Sequence, residues 1–151
     1  MALARIGLGS NLGDPAGNVE RAIAALETLG SVTARSSFYR SAPWGVTDQP
    51  EFVNAAVLLE TELSPRELLA GLKRLETDLG RTESYRWGPR VVDLDILASD
   101  ALTVDEPDLI VPHPRLLERA FALAPLAEID PAYANALERL PAAARAQVRR
   151  L

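Results

Sequence analysis

Three features of this chain predict an α+β fold of ferredoxin-like βαββαβ type, an antiparallel sheet with helices packed on it. Segments of two-residue and 3.6-residue periodicity follow one another in the order strand, helix, strand, strand, helix, strand. Both helical segments begin with cap signals and carry an apolar stripe that needs a sheet beneath it. A length of 151 residues, 48% of them hydrophobic, fits one compact domain over 1–151.

Residues 2–9, ALARIGLG, alternate apolar with small or polar side chains and stop at Gly-Ser-Asn, which reads as a strand. Asp14 as N-cap and Pro15 at the first helical position open a helix in which Val19, Ala22, Ile23, Leu26 and Leu29 recur at helical spacing until Gly30. VTARSSFYR (32–40) and FVNAAVLLETE (52–62) read as strands. The linker between them, SAPWGVTDQPE, is too long for a tight hairpin, and long ordered loops in small domains usually carry function. Ser64, Pro65 and Glu67 supply a capping box for a second helix, with Leu68, Leu69, Leu72, Leu75 and Leu79 on one side and Gly80 at its end. After a second long loop, RTESYRWGPR, comes the strand VVDLDILA. Residues 99–112 resemble a short hairpin, and helical stretches near 114–128 and 134–149 are expected to cover more of the sheet as a C-terminal extension. The final RAQVRR is expected to be a solvated helix end, and Arg115, Arg139 and Arg149 are expected to face solvent.

The net charge of −5 argues against a broad nucleic-acid or anionic-membrane surface. Without cysteine there is no disulfide, thiolate metal site or thiol nucleophile. The N-terminal residues lack a signal peptide's pattern, and no run approaches the roughly 20 apolar residues of a membrane span. A cytoplasmic protein is the expectation, with no second catalytic domain in a chain of this length.

Alternation in the last strand places Asp93 and Asp95 on one face and Val92, Leu94 and Ile96 on the other. Two carboxylates about 5 Å apart at an effective dielectric near 20 repel by about 3 kcal/mol, so a cation belongs between them. Metal is one answer and arginine the other, since Arg81, Arg86 and Arg90 precede the strand. Hard oxygen donors with a single His favour Mg²⁺, which usually arrives with phosphate. Arginine forks suit bidentate phosphate contacts, so the pattern points to phosphoryl transfer. No GxxxxGK[ST] loop is present, and GLGSNLGD lacks the spacing and parallel-sheet context of a dinucleotide fingerprint. Phe52 and Phe121, taken alone, read as core packing. Asn54 inside a strand is unusual and needs partners. His113, between two prolines, reads by itself as a turn residue satisfied by backbone rather than as a ligand.

GLGSNLGD, SSFYRSAPWG, QPEFVNAAV, RLETDLGR, RWGPRVVDLDIL and VPHPRLLERAF, in that order, resemble the 6-hydroxymethyl-7,8-dihydropterin pyrophosphokinases. The likeness runs from Ile6 to about Pro125. It implies a transferase of folate biosynthesis that moves pyrophosphate from ATP to the pterin alcohol with two Mg²⁺ ions and releases AMP. Position by position, it implies Asp93 and Asp95 as metal ligands. No general base is evident in the sequence, and Asp95 is our candidate for the proton acceptor. It implies Arg81 and Arg90 at the phosphates, and Lys73, Glu76, Trp87, Arg90, Ile96, His113 and Arg119 on the nucleotide side. For the pterin it implies Phe52 and Phe121 stacking on the ring, Asn54 at its edge, main-chain groups of Ser41, Ala42 and Gly45, and Trp87 as an aromatic lid. Glu83 departs from the family, where many members carry arginine. Partners are therefore ATP and 6-hydroxymethyl-7,8-dihydropterin, with no nucleic acid, no membrane, and a monomer expected. A non-catalytic ligand-binding module and an RNA-binding domain are the competing uses of this fold.

Overall fold

The computed structural model of the chain describes residues 1–42, 49–80, 91–101 and 103–151. Strand β1 (Ala2–Ser10) leads to helix α1 (Pro15–Leu26), where the Asp14 carboxylate accepts the Gly17 N–H at 3.2 Å. The strand expected over 32–40 is two strands, β2 (Ser31–Arg35) and β3 (Tyr39–Ser41). Ser36 breaks it. Its N–H donates to the Ala56 carbonyl at 2.9 Å while its Oγ accepts the Ala56 N–H at 2.9 Å, so a side chain replaces a main-chain partner and the ladder skips. Strand β4 (Phe52–Thr61) pairs antiparallel with β1, β2 and β3.

Helix α2 (Pro65–Asp78) opens with the expected capping box, Ser64 and Glu67 each accepting the other's main-chain N–H. Strand β5 (Asp93–Ser99) lies antiparallel on the far side of β1. A hairpin of β6 (Val104–Glu106) and β7 (Leu109–Val111) is tied to the start of α2, where Arg66 bonds Asp108 at 2.7 Å and also Glu106. A short 3₁₀ turn at Leu116–Glu118 leads into α3 (Ala120–Ile129).

The second helical stretch expected at the C-terminus resolves into α4 (Ala134–Arg139), α5 (Ala142–Ala146) and a strand, β8 (Val148–Arg150). RAQVRR is therefore not a solvated helix end. β8 pairs with β3, and Leu151 N–H donates to Phe38 O at 2.9 Å. The edge of β3 offers main-chain partners, and this tertiary pairing overrides the good helix propensity of the arginines, which is only a weak local preference. Arg149 does face solvent and makes a long contact to Glu51 at 3.4 Å. The described strands of the main sheet run β5-β1-β4-β3-β8, with β2 beside β4. β4 thus inserts between β1 and the β2/β3 pair, the split βαβ pattern.

Each face of the sheet has its own core. Helices α1 and α2 bury Ala4, Ile6, Leu8, Val57, Leu59, Leu72, Leu94 and Ile96 against one face. On the other, α3 packs Leu123 and Leu126 with Ala56, Leu97 and Leu116. Among the described residues, no helix is long and apolar enough to cross a membrane.

Candidate active site

Beside α3, the second face opens into a cavity whose floor is three adjacent strands. The register places Asp93, Gly9, Asn54 and Tyr39 in one row across β5, β1, β4 and β3. In the next row Gly7 lies opposite Asp95. Every second residue of β1 is glycine where the strand passes beneath the cavity, so the carboxylates on one side and Phe52 and Asn54 on the other share an open floor. A Cβ on Gly9 would sit 3.2 Å from Asn54 Oδ1 and 3.7 Å from the Phe52 ring.

Asp93 is partly buried and Asp95 exposed, and both line the cavity with His113, Arg119 and Phe121. Leu94, between them, turns into the α1/α2 core, as alternation requires. From that side the buried Glu76 of α2 accepts the Leu94 N–H at 2.8 Å. This bond fixes β5 between its two aspartates. Among the described residues no group of three or more His, Asp or Glu side chains converges on one point. The described part of the cavity offers two hard carboxylate donors, Asp93 and Asp95. That donor set fits Mg²⁺, which keeps several waters and takes phosphate oxygens, better than a cation needing an all-protein cage.

Burial pulls the Arg119 guanidinium below its ordinary value; Asp95 opposes the shift and Arg115 adds to it. Arginine stays charged throughout. Its guanidinium carbon lies 5.4 Å from the centre of the Phe121 ring, so one residue links the carboxylate side of the cavity to the aromatic side. His113 is held by a main-chain bond to Leu97 O at 2.8 Å, and its Nδ1 accepts the Arg115 N–H at 3.2 Å. Burial first, then the charges of Arg119 and Arg115, push His113 below its usual value. It is therefore a neutral imidazole at pH 7 with its proton on Nε2, a donor at that atom.

On the opposite wall the buried Asn54 donates from Nδ2 to Ser41 Oγ at 2.6 Å. The amide is held in one orientation with its Oδ1 beside Gly9. Phe52 and Ser41 face each other across β4 and β3, and Ala42 follows at the cavity rim. Phe121 lines the cavity from the first turn of α3.

Of the residues expected at the site, Asp93, Asp95, His113, Arg119, Ser41, Ala42, Phe52, Asn54 and Phe121 meet at this cavity. Three do not line it. The Ile96 side chain is buried in the α1/α2 core, because its parity in β5 is that of Leu94. Glu76 acts from behind the strand, and Lys73 is exposed on α2. Arg81, Arg90, Trp87 and Gly45, with Trp44, Glu83 and Arg86, lie outside the described residues. Gly7, Gly9 and Leu97, which line the cavity, were not expected there. The alternating glycines of GLG were the signal for the first two, since glycine inside a strand marks a close approach.

A profile of the family 7,8-dihydro-6-hydroxymethylpterin-pyrophosphokinase (HPPK) matches residues 5–131. The chain is 48% identical over 133 residues to the 2-amino-4-hydroxy-6-hydroxymethyldihydropteridine pyrophosphokinase of Methylorubrum extorquens, covering 87% of this chain and 84% of that one. It is 48% identical over 129 residues to the Bacillus subtilis protein of the same name, covering 84% and 77%. Among solved structures, a Plasmodium falciparum HPPK-DHPS variant with pterin and p-hydrobenzoate superposes with a TM-score of 0.73 at 14% identity. That match covers 99% of this chain and 47% of the other, so this chain spans about half of that structure and the likeness speaks for the fold. The cavity described above lies wholly within the matched stretch, and the chain belongs to the 7,8-dihydro-6-hydroxymethylpterin-pyrophosphokinase family.

Proposed function

We infer that this chain transfers pyrophosphate from ATP to the hydroxymethyl group of 6-hydroxymethyl-7,8-dihydropterin, a step of tetrahydrofolate biosynthesis that releases AMP. The observation that carries this reading is one cavity with two chemistries on its floor. Paired carboxylates stand on β5 and an aromatic and amide wall on β4, separated only by the glycines of β1. A flat heteroaromatic ring suits Phe52 and Phe121, and Asn54, fixed by Ser41, reads its edge. The carboxylate side suits a triphosphate.

Asp93 and Asp95 would hold Mg²⁺, two ions in the full complex, with ATP as co-substrate. Bound there, the metal supplies neutralisation of phosphate charge and lowers the pKa of a coordinated hydroxyl. The chain's own residues do the remainder. Arg119 stabilises charge developing on the phosphates, and neutral His113 donates to a phosphate oxygen from Nε2. Asp95, exposed to the cavity, accepts the proton of the pterin hydroxyl as its oxygen bonds to phosphorus and AMP departs. Arg81 and Arg90 are assigned to the phosphates, and Trp87 and Gly45 to the substrates, on family likeness. The chain is proposed to work in the cytoplasm as a monomer, without nucleic acid or membrane; its net charge of −5 speaks against a broad nucleic-acid or anionic-membrane surface.

The test is AMP formation from ATP, the dihydropterin and Mg²⁺ by the wild type and by Asp93→Ala and Asp95→Ala. Pterin-dependent AMP release that falls by about 10³-fold in each variant is expected, since metal stabilisation of the transition state is worth several kcal/mol. ADP as product, or AMP release unaffected by either substitution, would overturn the reading. Asp95→Asn with an unchanged chemical-step rate at saturating Mg²⁺ would remove the proton-acceptor role alone.

A further inference from the structure

We infer that Glu128 is a positioning residue for the dihydropterin slot and that the C-terminal strand β8 belongs to the same brace, an inference that rests on Phe52, Asn54 and Phe121 forming that slot. Phe121 and Glu128 are seven residues apart, two turns, and so lie on one face of α3 about 10 Å from each other. Tyr39 and Ser41 likewise share one face of β3. At one end Phe121 and Ser41 border the cavity; at the other Glu128 meets Tyr39. The helix and the strand are thus joined beyond the slot and stand apart at it.

The join is dense. The Glu128 carboxylate accepts from Ser37 N at 3.0 and 3.2 Å, Ser37 Oγ at 3.1 Å, Tyr39 OH at 2.6 Å and Arg150 Nη2 at 3.1 Å. Arg150 also bonds Tyr39 OH at 3.3 Å and lies 5.6 Å from its ring centre. Two residues further on, Asp130 bonds Arg5 of β1 at 3.0 Å, so this end of the helix is tied to β3, β8 and β1 together. Pro125, between Phe121 and Glu128, removes one main-chain bond from α3, which leaves the spacing between them more dependent on such ties.

Slot width is what the brace controls. A ring held between two others makes contacts of about 3.5–4 Å on both faces, and widening a gap by 0.5–1 Å forfeits about a quarter to a half of the contact energy. Tyr39 sits directly opposite Asn54 in the sheet, so the same residue couples Glu128 to the amide that reads the ring edge. β8 lies beyond residue 131, where the family profile ends, and it brings Arg150 to this point.

The test is binding of the dihydropterin, followed by its own fluorescence, beside KM for ATP and kcat in the full chain. Glu128→Ala should weaken dihydropterin binding about fivefold, with KM for ATP changed less than about twofold, because a shared carboxylate acceptor is lost. Tyr39→Phe should cost about threefold, and Arg150→Ala about twofold or less, since exposed ion pairs contribute little. Added to Phe121→Ala, Glu128→Ala should weaken dihydropterin binding less than it does alone, the remainder passing through Tyr39 to Asn54. Additive effects, or equal losses for both substrates, would overturn the brace, as would a lowered Tm with binding unchanged. Should Glu128→Ala not fold, Tyr39→Phe in the same cycle decides it. A wild-type chain that binds no dihydropterin would overturn the slot reading and this inference with it, an outcome distinct from a normal wild type with unselective variants.

Discussion

On the α1/α2 side of the sheet β1 presents Ala4, Ile6 and Leu8, while on the other side the same strand presents Gly7 and Gly9. β5 divides likewise, Leu94 and Ile96 to the core, Asp93 and Asp95 to the cavity. β4 sends Val53, Ala55, Val57 and Leu59 one way and Phe52 and Asn54 the other. The first face is filled to exclude space and holds the chain together. The second leaves space and spends polar groups on it, so substitutions on the two faces should separate stability from chemistry.

Leu72→Ala is the largest expected effect on the filled face. Leu72 is fully buried among α1, α2 and the sheet, so truncation should cost about 2–5 kcal/mol in urea unfolding while activity per folded molecule is unchanged. A comparable loss of kcat would show that the faces are not independent. On the cavity face Gly9→Ala brings a methyl group to within 3.2 Å of an Asn54 oxygen whose amide is tied to Ser41. KM for the dihydropterin should rise about tenfold, equivalent to about 1.4 kcal/mol, with little change in Tm. At Gly7 the atoms nearest a new methyl group are those of the Leu97 side chain, from 3.2 Å, and not the Asn54 amide, so Gly7→Ala should raise this KM less than about threefold; the reverse order would break the account of the floor.

The smallest effect is one of pH. The fold disfavours protonated His113, so its contribution to stability is present above its ordinary value of 6.5 and is lost as pH falls through the lower folded value. Tm measured from pH 7.5 down to 5.5 should decline less steeply in His113→Gln than in the wild type. An identical slope would remove His113 from the set of groups that feel the burial and the charges of Arg119 and Arg115.

The alternation that placed Asp93 and Asp95 on one face was legible because period two in a strand follows from backbone geometry. The same rule turned Ile96 toward the core, and there family likeness and parity pointed different ways. Capping at Asp14 and Ser64 was legible because each bond is local. The break at Ser36 was not, since it depends on Ala56, 20 residues away. Nor was β8, which is extended where it pairs with the edge of β3. Glu128 looks on the sequence like any charged residue on a helix, and its partners come from two distant segments, residues 37–39 and β8. Long-range pairings of this kind leave no periodic trace.

The row that joins Asp93, Gly9, Asn54 and Tyr39 bears on assembly as well as on chemistry. A slip of one residue between β5 and β1 would turn Asp93 and Asp95 into the apolar layer beneath α2 and bring Leu94 out to water. Two unpaired carboxylates in that layer would be far costlier than any lost methyl contact. The carboxylates proposed to hold the metal therefore also serve as a parity check on strand pairing: a sheet joined out of step is disfavoured by its own charges.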